Sequence, residues 1–217
     1  MIVVIGSPIG GLRDETVVPT GTPALAALAA AAAGRQVQLV GRTGDDPIAD
    51  GLLLSLARGG VSHAAVLRDP ARPTPLAPEP ESEDASPASA EDSEAPAPEP
   101  PTVPALDEAD VDLGLRYLTD FAVVVLAEPA DPDVVGVVAD AARWNGAQLV
   151  MVVAAGTEPS DRLPPDAIVF EAPADDRGGD FAALVGRFAA ALDDGTDAAD
   201  AFRASIAAEG WTEADPD

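Results

Sequence analysis

The 217-residue chain contains no cysteine and no lysine. Without cysteine there is no disulfide and no thiolate metal centre. Without lysine there is no P-loop, whose Gly-Lys-Ser/Thr turn brings an ammonium to the phosphates. All 12 basic residues are arginines, set against 38 acidic residues, for a formal charge of −26. Such a charge repels nucleic acid and anionic lipid, so neither is expected as a partner; basic protein surfaces are the natural complement. Histidine occurs once, as His63. A Ser-His-Asp triad or a histidine metal cluster would rest on that residue alone, and it is assigned a surface or structural role. Trp144 and Trp211 are read as packing residues, with Trp211 the alternative candidate for a partner anchor. Long apolar runs are lacking too. The small-residue stretch Ala24–Ala33 falls well short of the roughly 20 residues that cross a bilayer. The opening MIVVIGSP has no basic n-region of a signal peptide. A cytoplasmic protein is expected, and the lysine-free, Ala/Arg/Asp-rich usage suggests a high-GC bacterial genome.

What is present is small and apolar. Residues of the hydrophobic class make up 47% of the chain, but aromatics only 4%, so a core of closely spaced Ala, Val and Leu is expected. A chain of this length buries roughly 70% of its unfolded surface, enough for a true core. Short apolar runs alternate with helical patterns. Strands are predicted at Ile2–Ile5, Gln36–Val40, Val61–Leu67, Phe121–Leu126, Gln148–Ala154 and Ala167–Phe170. A first helix follows Thr22-Pro23 and exits at Gly34. A second is capped by Asp45 or Asp46, begins at Pro47 and stops at Gly59-Gly60. Further helices are predicted at Asp107–Leu118, Pro132–Asn145, Asp180–Leu192 and Asp197–Ala208. Continuous apolar strands alternating with helices indicate an α/β fold, a mostly parallel, doubly wound sheet covered on both faces. One segment breaks the pattern. Ala77–Pro101 is built from Pro, Glu, Asp, Ser and Ala, and cannot bury enough apolar surface to offset its ordering entropy. It is expected to be a disordered acidic loop inside a single domain formed by residues 1–76 and 102–217.

Several stretches could carry chemistry. The turn GSPIGG after the first strand has Pro8 where a dinucleotide fingerprint needs its second glycine, so it is read as a tight loop. The acids of Glu79–Glu99 lack the spacing and fixed glycine of an EF-hand and are read as solvated charge. The stretch DDRGGDF ends at Phe181 and opens a helix. Its glycines and Asp180 suit either a phosphate cradle or a plain helix start.

GRTGDDPIADGLLLSLARGGV resembles the pfkB/ribokinase family of sugar and nucleoside kinases. In that family a Gly-x-x-Gly-Asp-Asp turn enters a helix that ends before a Gly-Val strand and a Thr-Pro or Thr-Gly segment. Here these are Gly41, Gly44, Asp45, Asp46, Gly60, Val61 and RPTPL at Arg72–Leu76. Gly34 and Gly44 keep the family spacing, and Ala27 suits its small position. The stretch from Leu118 to Gly156 is similar to the family's middle strand–helix–strand. The stretch from Gly178 to Phe202 is similar to its anion-hole helix and the helix after it. The resemblance implies a ribokinase-like fold, ATP and magnesium as cofactors of an active member, Gly178 and Gly179 as the anion hole, Asp180 as the base and Gly21 as a substrate contact.

Other family features are missing. The substrate aspartate falls at about Gly11. The Gly-Gly-x-x-x-Asn motif maps onto TGTPAL, where only Gly21 survives and Leu25 replaces the asparagine. The short gap GSPIGGLRDETVVP leaves little room for the first lid insertion, and the acidic loop takes the place of the second, so the lid strands are expected to be missing. The magnesium motif is reduced to Glu171 and Ala174. Measured back from Gly186, the base belongs at Ala182. Asp180 lies two residues earlier, about 200° around a helix. The sequence therefore predicts a degenerate, shortened member, a pseudokinase with no cofactor and no metal, acting through a protein partner or as a homo-oligomer. The alternative is an active ATP-dependent sugar or nucleoside kinase.

Overall fold

The computed structural model describes residues 1–77, 106–174, 176 and 178–208. The acidic segment, from residue 78 on, and Trp211 lie outside them.

Six parallel strands form the sheet: β1 (Ile2–Ile5), β4 (Val37–Gly44), β5 (Val61–Asp69), β6 (Val123–Leu126), β7 (Gln148–Val153) and β8 (Ile168–Glu171), in the order β5-β4-β1-β6-β7-β8. Strand β1 is central, with Ile2 opposite Val37 on one side and Val123 on the other. Its four residues are all buried because both faces are covered, which is why it reads as an unbroken apolar run. Ile2 and Val4 belong to one core, beneath α1 (Gly21–Ala32), α2 (Pro47–Arg58), α5 (Asp180–Asp193) and α6 (Ala198–Ala208). Val3 and Ile5 belong to the other, beneath α3 (Glu108–Arg116) and α4 (Pro132–Asn145).

The helix boundaries follow local chemistry. Pro132 opens α4, and Gly146 closes it at φ +64, a left-handed value that glycine adopts without a Cβ penalty. Asp107 and Asp110 form a reciprocal capping box at α3. Asp46 caps α2 by accepting from Ala49 N–H at 2.8 Å, and also accepts from the Thr74 N–H at 2.8 Å and hydroxyl at 2.7 Å. It thereby ties the Thr-Pro segment after β5 to the start of α2. Burial works to raise the Asp46 carboxyl, but these hydrogen bonds outweigh it and hold its pKa below the usual aspartate value.

Sequence patterning missed two strands. In the gap that was expected to leave little room for a lid, β2 (Ile9–Arg13) and β3 (Thr16–Thr20) pair as an antiparallel hairpin. Its turn residues, Asp14 and Glu15, take φ values of +48° and +61°. Glycine or asparagine usually fills such a turn, so no turn signal marked it. The hairpin lies on α2: Ser55 Oγ donates to Val17 O at 3.1 Å, and a Cβ on Gly51 would stand 3.0 Å from Val17 Cβ. A second correction concerns Trp144. It is 90% exposed on the last turn of α4 rather than packed.

The tightest helix contact is α1 on α5. A Cβ on Gly186 would stand 2.2 Å from Ala26 O and 2.8 Å from Ala29 Cβ, so the two backbones touch where no side chain fits. Beyond the end of α1, Arg35 reaches the last turn of α5, its Nε 2.7 Å from Asp193 Oδ2. Replacing Gly186 by Ala therefore forces backbone apart and is expected to cost about 1–3 kcal/mol, read as a lower urea midpoint at unchanged slope. Asp46→Asn tests the cap. Because the folded pKa of Asp46 is lowered, its stabilisation is complete above the unfolded aspartate value and is lost as pH falls through the folded one. Urea midpoints of wild type and variant are expected to differ at neutral pH and to converge in acid.

Candidate functional site

In an open parallel sheet, ligands bind beyond the carboxyl ends of the strands, where the connections leave in opposite directions. Here the chain moves from β1 outward to β4 and β5, then returns to β6 on the other side, so the switch point lies between β1 and β6. The residues that meet there are Gly6 and Ser7 after β1, Glu128 after β6, and Pro23 in the first turn of α1. Gly6 has φ +152, and a Cβ there would stand 2.5 Å from Pro23 Cγ. Only glycine lets the chain pass under α1 at that point.

Glu128 is an ionisable group of this crevice, and the sequence analysis did not single it out. Its Oε2 accepts from Ser7 N–H at 3.0 Å. Burial pushes its carboxyl above the usual glutamate value, and the Ser7 hydrogen bond only partly counters this. It lines a cleft of about 310 Å³ with Leu106, Leu126 and Val134. The available signal was positional: in VLAEP an acid follows directly on a fully buried strand.

The predicted anion hole lies at the N-terminus of α5. Gly179 is the N-cap, buried, at φ +76, and a Cβ on it would stand 2.7 Å from Leu25 Cδ1. Leu25, in the asparagine position of the substrate motif, thus packs onto the glycine of the cradle. Gly178 is exposed. Asp180 is the first residue of the helix and exposed, while Ala182, where the family register places the base, is fully buried. Gly21 stands at φ +76 under Ile9: a Cβ there would lie 3.2 Å from Ile9 Cδ1. The adjacent Thr20 hydroxyl donates to Ile9 O at 3.2 Å and does not cap α1. Gly11 lies in β2, where a Cβ would meet Thr20 Cγ2 at 2.8 Å.

The N–H groups at the start of α5 already hold an anion. Asp176 turns back onto the helix, its Oδ1 accepting from Phe181 N–H and its Oδ2 from Ala182 N–H, each at 3.0 Å. A carboxylate at a helix N-terminus satisfies two orphan donors and opposes the positive end of the helix dipole. A phosphate oxygen aimed at the Phe181 and Ala182 N–H groups would have to displace this carboxylate, so those two donors do not fit a nucleotide phosphate as they stand. Asp176 was not a candidate in the sequence, although two consecutive aspartates before a Gly-Gly helix start were visible there. Glu171, from the reduced magnesium motif, accepts from Gly156 N–H at 2.7 Å. Among the described residues no three His, Asp or Glu side chains are grouped to hold a metal ion, and no helix is long and apolar enough to cross a membrane.

The fold has solved counterparts. A putative ribokinase from Agrobacterium tumefaciens superposes with a TM-score of 0.59 at 16% identity, covering 96% of this chain and 89% of that one. The Arabidopsis thaliana ribokinase complexed with ribose and ATP gives 0.61 at 16% identity, over 96% and 90%. A PfkB protein from Polaromonas sp. JS666 gives 0.62 at 12% identity, over 97% and 96%. The chain has a ribokinase-like fold. No family model and no curated protein matches the sequence. At these identities the likeness establishes the architecture of the ribokinase-like sheet and helices, and the chemistry must be read from the residues themselves.

Removing the internal anion should expose the donors it covers. Asp176→Ala is expected to destabilise the fold by about 1 kcal/mol through loss of the cap. Inorganic phosphate should restore part of the melting temperature in the variant and leave the wild type unchanged, as followed by thermal denaturation across a phosphate series.

Proposed function

We propose that this ribokinase-like chain is a pseudokinase: it has no phosphotransfer activity and acts by binding a protein partner or a second copy of itself. The observation that carries this reading is the Asp176 carboxylate on the Phe181 and Ala182 N–H groups. Phosphoryl transfer depends on donors preorganised for the charge that develops on the moving group. Donors already committed to a carboxylate cannot supply that stabilisation. The same reading is supported by Leu25, whose side chain packs against Gly179 and offers no hydrogen bond to a substrate hydroxyl. Asp180, the residue nearest to a catalytic base, is exposed at the first helical position.

A binding role agrees with the surface. Tyr117, at the end of α3, is 81% exposed, and Trp144, near the end of α4, still more so. Exposed aromatics of this size are common anchors of interfaces. The acidic composition of Ala77–Pro101 suits a basic partner surface. Turnover of magnesium-ATP against a panel of sugars and nucleosides tests the first half of the proposal. No turnover above background is expected, and Asp180→Asn should change nothing. Turnover that Asp180→Asn abolishes would overturn it and establish an active kinase that uses this aspartate.

A further inference from the structure

A second cleft opens on the α4 side of the sheet's carboxyl edge. It lies between the start of α4 and residues 154–167, the connection from β7 to β8. Its volume is about 550 Å³, within the usual range of small-molecule sites. The floor is apolar, formed by Val135, Met151 and Val153, and the rim carries Glu158, Asp161 and Arg162. The one cation among the described rim residues is already engaged. Arg162 Nη2 lies 3.2 Å from Asp133 Oδ1, and the side chain crosses α4 at Gly136, where a Cβ would stand 2.9 Å from its Nη1. Glu158 and Asp161 are exposed, and neither takes part in an ion pair among the described residues. The cleft thus joins an apolar floor to two uncompensated carboxylates, in a chain whose charge of −26 concentrates cations and repels anions.

We propose that this cleft binds a small cation with an apolar body, an alkyl- or arylammonium. Its hydrocarbon part would lie on Val135, Met151 and Val153, and its ammonium at Glu158 and Asp161. The site stands apart from the N-terminus of α5, which belongs to the opposite helical layer, so the inference holds whether or not the chain transfers phosphate.

Calorimetric titration of the full chain tests it, with phenethylammonium as the probe and phenylpropanoate as its anionic counterpart. The ammonium is expected to bind and the carboxylate not to. Combining Glu158→Gln with Asp161→Asn should weaken ammonium binding roughly tenfold, the size expected for two partly exposed charge contacts. Combining Asp112→Asn with Asp200→Asn removes the same charge elsewhere and should leave the affinity unchanged. Thr157→Trp, which fills the mouth from an exposed position, should abolish binding. Equal binding of the carboxylate would overturn the proposal. So would equal loss in the two double variants, which would mean that only bulk charge matters, or full binding by Thr157→Trp.

Discussion

The close approach of α1 and α5 is the constraint on which the rest of the structure depends. Gly186 sits against the carbonyl of Ala26 with no space for a methyl group. The alanine-rich face of α1 (Ala24, Ala27, Ala30) is buried, flat and narrow, so two helices share a layer with little side-chain volume between them. The composition makes this geometry available: few aromatics, many alanines and a glycine at the crossing. Interiors are close-packed, so such a contact is intolerant of added volume. It is reinforced beyond the end of α1 by Arg35 on Asp193. The aromatic side chains of this layer gather around Phe170, Phe188 and Phe202 at the β8 edge.

That contact also decides what the site can do. With α5 held against α1, the first turn of α5 meets the first turn of α1, and Leu25 lies on Gly179. The start of α5 is then stabilised from within, by Asp176, instead of by a ligand. Two requirements compete at such a helix end. Its N–H groups must be satisfied for the helix to be stable, and they must be available for an anion to bind. Here the first requirement is met at the expense of the second. The switch-point crevice keeps a different character. Glu128 is half-buried there with one backbone partner, an arrangement that costs stability and that the fold nevertheless contains.

Most of the architecture was legible in the sequence because it rests on local signals. Pro132 and Gly146 bracket α4 at the predicted residues, Asp46 and Pro47 start α2, and the apolar runs mark every strand of the main sheet. The β2–β3 hairpin was not legible, since Asp14 and Glu15 adopt left-handed conformations without the residues that usually advertise them. The exposure of Trp144 was hidden for a related reason: an aromatic on a helix is normally buried, and only the placement of α4 shows which face is left outside. Of the candidate site, Gly178, Gly179 and Asp180 were picked out by the Gly-Gly-Asp match before α5, whereas the spacing to Gly186 pointed to Ala182. Glu128 and Asp176 were not, because nothing local distinguishes a carboxylate that turns inward from one that faces water.

The sequence by itself determined the succession of main-sheet strands and helices along the chain, most of the caps, the acidic character of the chain and the resemblance to the ribokinase pattern. These follow from residue type and spacing along the chain. Only the tertiary structure decided that Leu25 covers Gly179, that Asp176 occupies two donors of α5, and that Glu128 is half-buried beside Ser7. Each of these joins elements whose approach is set by the packing of whole helices on a sheet. The distances that decide between an open anion hole and a filled one come from that packing, and no local pattern encodes them.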